Sequence, residues 1–131
     1  TEPEDPASVL RVMIVDDNPD AALMLSVLLE ATGYDVVIEN SSGGGLALAA
    51  RCTPGVGLLD IGLPGMDGYQ LARRVRALPG MEQATLIAIT GYGQAEDRRK
   101  TRDAGFQHHL VKPVDTAELL TLLQALSETK S

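Results

Sequence analysis

Residues 58–68 read LLDIGLPGMDG. Two leucines run into a carboxylate, and Gly62, Pro64, Gly65 and Gly68 then break the backbone. A short apolar run bounded by turn residues predicts a buried strand that stops at Asp60. Asp67 can cap a helix, and Leu71, Val75 and Leu78 follow at helical spacing. The unit is strand, loop, helix, with an acid where the strand meets the loop.

The same order repeats in both directions. Upstream, LRVMIVDD is a β-branched run that ends on Asp16 and Asp17. Asn18 and Pro19 suit a helix cap and its first turn, Ala21, Leu25, Leu28 and Leu29 line one face, and Gly33 ends the helix. DVVIEN predicts a second strand. SSGGGLALAAR predicts a second helix, which Gly43, Gly44 and Gly45 should leave short or frayed, at roughly 1 kcal/mol each relative to alanine.

Downstream, TLIAIT predicts a fourth strand and GQAEDRRKTRDAG a polar helix stopped by Gly105. QHHLV predicts a fifth strand, broken by Lys112-Pro113. Asp115 with Glu118 has the spacing of a capping box, and Leu119, Leu122, Leu123 and Leu126 share one face of the last helix. Five alternations of strand and helix predict an α/β fold, a doubly wound five-stranded parallel sheet covered on both faces. Residues 9–128 form the expected domain, with a Pro-rich acidic tail at 1–8 and a short tail at 129–131.

Eighteen acids against eleven bases give a net charge of −7, and no basic run stands out to neutralise phosphates. Direct nucleic-acid binding is therefore not expected of this domain. Arg98, Arg99, Lys100 and Arg102 are interspersed with acids and read as a solvated helix face. The single cysteine, Cys52, excludes an internal disulfide and has no partner at zinc-binding spacing. No apolar run reaches transmembrane length, so the expectation is no membrane insertion and a cytoplasmic location.

Ligands of a parallel α/β sheet bind outside the carboxyl ends of its strands. The predicted strand ends put Asp16, Asp17, Asp60, Thr90, Gly91 and Lys112 on that one edge. Clustered carboxylates without histidine or cysteine suit Mg²⁺ or Mn²⁺. A carboxylate nucleophile, an incomplete Mg²⁺ site, a lysine and a hydroxyl are equipment for phosphoryl transfer.

VDDN, LLDIGLPGMDG, AITGYG and HHLVKP, in this order, resemble the receiver domain of two-component response regulators. The resemblance runs from about Leu10 to Leu126. It implies a flavodoxin-like (CheY-like) sheet of strand order 2-1-3-4-5. It implies that Asp60 is the phosphoacceptor for a phosphohistidine and that Asp17 is a direct Mg²⁺ ligand, with Asp16 acting through water. Gly62 would complete the metal site with its backbone carbonyl. Thr90 resembles the switch hydroxyl and Lys112 the lysine on the phosphoryl group, with a cis bond to Pro113. Gly62 and Tyr92 occupy the places that tune phosphoryl lifetime. Implied partners are a histidine kinase or a histidine phosphotransfer protein. The fourth helix, fifth strand and fifth helix would form the switching face, on a monomer or a weak homodimer.

His109 stands where the family often has a switch Tyr or Phe. Two readings stay open: a half-exposed strand residue, or a titratable switch with altered coupling. The function expected is a phosphoacceptor signalling domain, not an enzyme, with only its own phosphotransfer and autodephosphorylation. The alternative is a pseudo-receiver that binds partners without phosphorylation. A haloacid dehalogenase-type phosphatase wants a second Asp two residues after the nucleophile, where this chain has Gly62. Two expectations stay open, a single-domain regulator or a receiver excised from a hybrid histidine kinase, and the start at Thr1 with the linker-like residues 1–8 favours the second.

Overall fold

The computed structural model describes residues 10–91 and 98–129. The expected N-terminal tail, Tyr92, the beginning of the expected fourth helix and the last two residues lie outside these.

Five strands and five helices alternate: β1 (Arg11–Val15), α1 (Pro19–Thr32), β2 (Asp35–Glu39), α2 (Ser42–Cys52), β3 (Val56–Asp60), α3 (Gly68–Arg76), β4 (Thr85–Thr90), α4 (Arg98–Asp103), β5 (His108–Val111) and α5 (Thr116–Thr129). All pairings are parallel, and the sheet order is β2-β1-β3-β4-β5. β3 and β4 are buried along their whole length, so the stretches before Asp60 and between Thr85 and Thr90 read as continuous apolar runs rather than alternating ones.

Successive strand residues point to opposite faces. Met13, Val15, Leu59, Leu86 and Ala88 meet Leu48 of α2 and Leu71 and Val75 of α3 on one face. Val12, Ile14, Leu58, Ile87 and Ile89 meet Ala22 and Leu29 of α1 and Leu119 and Leu123 of α5 on the other. The expected faces of α3 and α5 turn inward, with Leu71, Val75, Leu119 and Leu123 buried and Leu122 and Leu126 partly so, while Leu78 packs on the core from beyond the end of α3. The α1 face is displaced from its expected position: Ala22, Ser26 and Leu29 are buried, whereas Leu25 packs at the margin. Small residues at 22 and 26 let the helix lie close to the sheet. Ala21, Leu25 and Leu28 instead line a cleft beside Pro113 and Val114.

The caps follow their residue types. The Asn18 side chain accepts the N–H groups of Asp20 and Ala21, and Gly33 ends α1 at φ 110°. Asp67 and Gln70 form a reciprocal capping box at α3. Asp115 accepts the N–H groups of Ala117 and Glu118.

α2 departs from expectation: it is a full helix of 11 residues, not a short or frayed one. The Ser41 side chain caps it by accepting the Gly44 N–H. A Cβ at Gly45 would stand 2.8 Å from a Val15 methyl, so helix and β1 lie too close there for a side chain. Packing against the sheet outweighs the intrinsic penalty of the glycines.

Candidate functional site

Three loops converge at the carboxyl edge of the sheet. β1 delivers Asp16, β3 delivers Asp60, and β5 leads into Lys112. Carboxylate oxygens of Asp16, Asp17 and Asp60 lie within 4.8 Å of one another. Asp16 and Asp60 are buried and Asp17 is exposed. The Lys112 ammonium lies 3.1 Å from Asp60 Oδ2 and 3.3 Å from Asp16 Oδ2, bridging the two buried acids. The Lys112–Pro113 bond is cis.

Backbone donors hold the carboxylates in place. The Asn18 N–H donates to Asp16 Oδ1 at 2.9 Å, and the Gly62 N–H donates to Asp60 Oδ1 at 2.9 Å. Gly62 thus acts on Asp60 through its amide, a contact additional to the carbonyl role expected of it. Gly68 lets the chain return: a Cβ there would sit 2.6 Å from the Asp60 carbonyl oxygen.

Burial raises the Asp16 pKa and Asp60 adds to the rise, against the lowering pull of the Asn18 N–H and Lys112. Burial works against the Lys112 ammonium, but the hydrogen bonds and charges of Asp60 and Asp16 outweigh it, and its pKa is raised. Asp16 is therefore a buried carboxylate whose charge a nearby cation eases, beside two further carboxylates within 4.8 Å. All-oxygen donors without nitrogen or sulfur fit Mg²⁺ or Mn²⁺.

Thr90 ends β4 and is buried. Its Oγ1 lies 3.1 Å from His109 Nε2 and 3.5 Å from the Leu110 carbonyl oxygen. Gly91 follows it and is half-buried. His109 is half-buried too, so both open readings of that residue meet here: a strand residue that contacts the hydroxyl of Thr90 directly.

Two supporting residues had no functional signal in the sequence. Asn40 Nδ2 donates to the Asp16 carbonyl oxygen at 2.9 Å, tying β2 to the acid loop. Ser42 Oγ donates to the Met66 carbonyl oxygen, tying α2 to the loop after Asp60. Their positions just after a strand would have been the clue, because the loops at that edge form the site.

The family description "response regulator receiver domain" matches residues 12–124. The chain belongs to this family. Among curated relatives, an uncharacterized 14.6 kDa protein of Leptolyngbya boryana is 39% identical over 115 residues, covering 88% of each chain. The virulence sensor protein BvgS of Bordetella pertussis is 32% identical over 117 residues, 86% of this chain but only 10% of that protein. The receiver thus matches both small proteins and one segment of a large sensor.

Solved receiver structures agree. A response regulator receiver domain protein (CheY-like) from Methanospirillum hungatei is 30% identical, with a TM-score of 0.84 over 92% of this chain and 95% of that one. The receiver domain of sensor histidine kinase PA1611 from Pseudomonas aeruginosa, with a magnesium ion in its active site cleft, is 29% identical. Its TM-score is 0.81, over 92% of this chain and 98% of that one. The flavodoxin-like order of this receiver is the one expected. Among the described residues, no helix is long and apolar enough to cross a membrane.

Proposed function

We propose that this receiver domain takes a phosphoryl group from a phosphohistidine onto Asp60. An Asp60 carboxylate oxygen attacks phosphorus, the phosphorus–nitrogen bond of the donor breaks, and the imidazole leaves to recover a proton from solvent. The donor is a histidine kinase or a histidine phosphotransfer protein. Asp16, Asp17, Asp60 and the Gly62 carbonyl would hold Mg²⁺, which neutralises charge on the transferring group. Lys112 supplies a second positive charge to the same oxygens. Thr90 donates its hydroxyl to the phosphoryl group, and α4, β5 and α5 repack as a population shift between two states.

The observation that carries this reading is the bridge from Lys112 to both Asp16 and Asp60 at the edge where Asp17 joins them. A relative that coordinates magnesium in its cleft adds support.

Intact mass after incubation with acetyl phosphate tests it. The expected outcome is a gain of one phosphoryl group that needs Mg²⁺ and is lost in Asp60→Asn. No gain by folded protein in excess Mg²⁺ would favour an interaction module that is never phosphorylated.

A further inference from the structure

We propose that His109 is a proton-operated latch on the Thr90 hydroxyl. The proposal rests on the receiver reading and adds a control to it. β4 and β5 pair with Ala88 beside His109 and Thr90 beside Val111, so Thr90 and His109 are diagonal neighbours on one face. Their polar atoms meet at 3.1 Å. Thr90 is 5% exposed, so water competes little for its hydroxyl.

A threonine hydroxyl has one proton to give. With His109 Nε2 unprotonated, that proton goes to the ring. Donation to a phosphoryl oxygen on Asp60 then requires the His109 bond to break. When a solvent proton adds to Nε2, both ring nitrogens become donors. Nε2–H donates to Thr90 Oγ1, and the hydroxyl proton is left for the Leu110 carbonyl oxygen, a long contact at 3.5 Å, or for the phosphoryl oxygen that displaces it. The ring with Nε2 unprotonated holds the resting state, and the ring with Nε2–H favours the switched one. Histidine ordinarily changes charge between pH 5 and 8, which tyrosine and phenylalanine do not.

The ring is half-buried in a groove that His108, Asp115 and Glu118 also line, which gives solvent protons a way in. On α4, the element leading into β5, Arg99, Lys100, Arg102 and Asp103 are ionisable. Lys100 lies 4.6 Å from the centroid of the Tyr69 ring. Lys112 is engaged by Asp16 and Asp60.

The test uses Mg²⁺ and beryllofluoride as a phosphoryl mimic, titrated between pH 5.5 and 8 into the wild-type protein, His109→Gln and His109→Phe. Relative to His109→Gln, which cannot titrate, wild-type binding should weaken by about 2- to 10-fold as pH rises, the worth of one net hydrogen bond. At pH 8, His109→Phe should bind more tightly than wild type by a similar factor. Ring nitrogen NMR of the free protein at pH 8 should show Nε2 unprotonated. Parallel pH profiles for all three proteins, or a protonated Nε2 at pH 8, overturn the latch alone. Loss of beryllofluoride binding in all three, with no labelling by acetyl phosphate, overturns the receiver reading and the latch with it.

Discussion

Asp16 is the residue whose charge is least comfortable. Burial raises its pKa, so the folded state binds a proton more readily than the unfolded chain. Its contribution to stability is greatest while it is protonated. That contribution is lost as pH rises from the ordinary carboxylate range through the raised folded value. Asp16→Asn removes this loss and keeps an oxygen for the Asn18 N–H. Without divalent cations at pH 7 the variant should melt about 3–5 °C higher, the effect of roughly 1 kcal/mol in a domain of this size. The advantage should shrink as pH falls, and melts between pH 4 and 7 read it. Added Mg²⁺ should narrow the gap by stabilising the wild type. The acids were legible in the sequence because each ends an apolar run just before a turn. The bond between Thr90 and His109 was not legible. It depends on the register of two strands that are eighteen residues apart along the chain.

At the scale of elements, α2 shows how context reverses a propensity. Gly43 meets nothing within 4 Å, whereas Gly45 packs against Val15, a residue only 1% exposed. Gly43→Ala should therefore stabilise the domain by about 0.5–1 kcal/mol. Gly45→Ala should destabilise it by about 1–3 kcal/mol despite the same propensity gain, because a rigid β-branched neighbour must move. Urea melts of both variants check the opposite signs. Strand and helix types were legible from apolar spacing and from caps such as Asn18, Asp67 and Gly33. The two exceptions have one cause. Helix α2 and the face of α1 are set by how closely small residues let each helix approach the sheet, and a pattern of leucines does not report that distance.

For the whole molecule, Arg76 at the end of α3 is the tie that sequence reading missed. Its guanidinium donates to the carbonyl oxygens of Gly105 at 2.6 Å and Glu82 at 3.2 Å, to that of Ala84, and to Gln107 Oε1 at 3.1 Å. Burial lowers its pKa. One side chain thus fastens α3 to the segments that enter β4 and β5, on the edge opposite the acids. Nothing in the run QLARRVR marks the third arginine apart from its neighbours, since its acceptors are distant carbonyls. A lysine keeps the charge but not the fork. Arg76→Lys should lower stability by about 1.5–3 kcal/mol, seen as a lower urea midpoint at unchanged slope. It should leave Asp60 labelling by acetyl phosphate intact below that midpoint, because the clamp and the acids lie at opposite ends of the strands. The two ends differ in what they gather: one ties α3 to the strand entries, and the other collects the acids and the lysine proposed to take a phosphoryl group on Asp60.

Borohydride trapping of the phosphorylated protein, followed by peptide mass mapping, tests that assignment most directly. Borohydride reduces an aspartyl phosphate to homoserine and leaves free carboxylates unchanged. The expected result is homoserine at position 60 alone, formed only after treatment with acetyl phosphate and Mg²⁺. Homoserine at position 16 or 17, or none at all in folded protein with Mg²⁺ present, would contradict it.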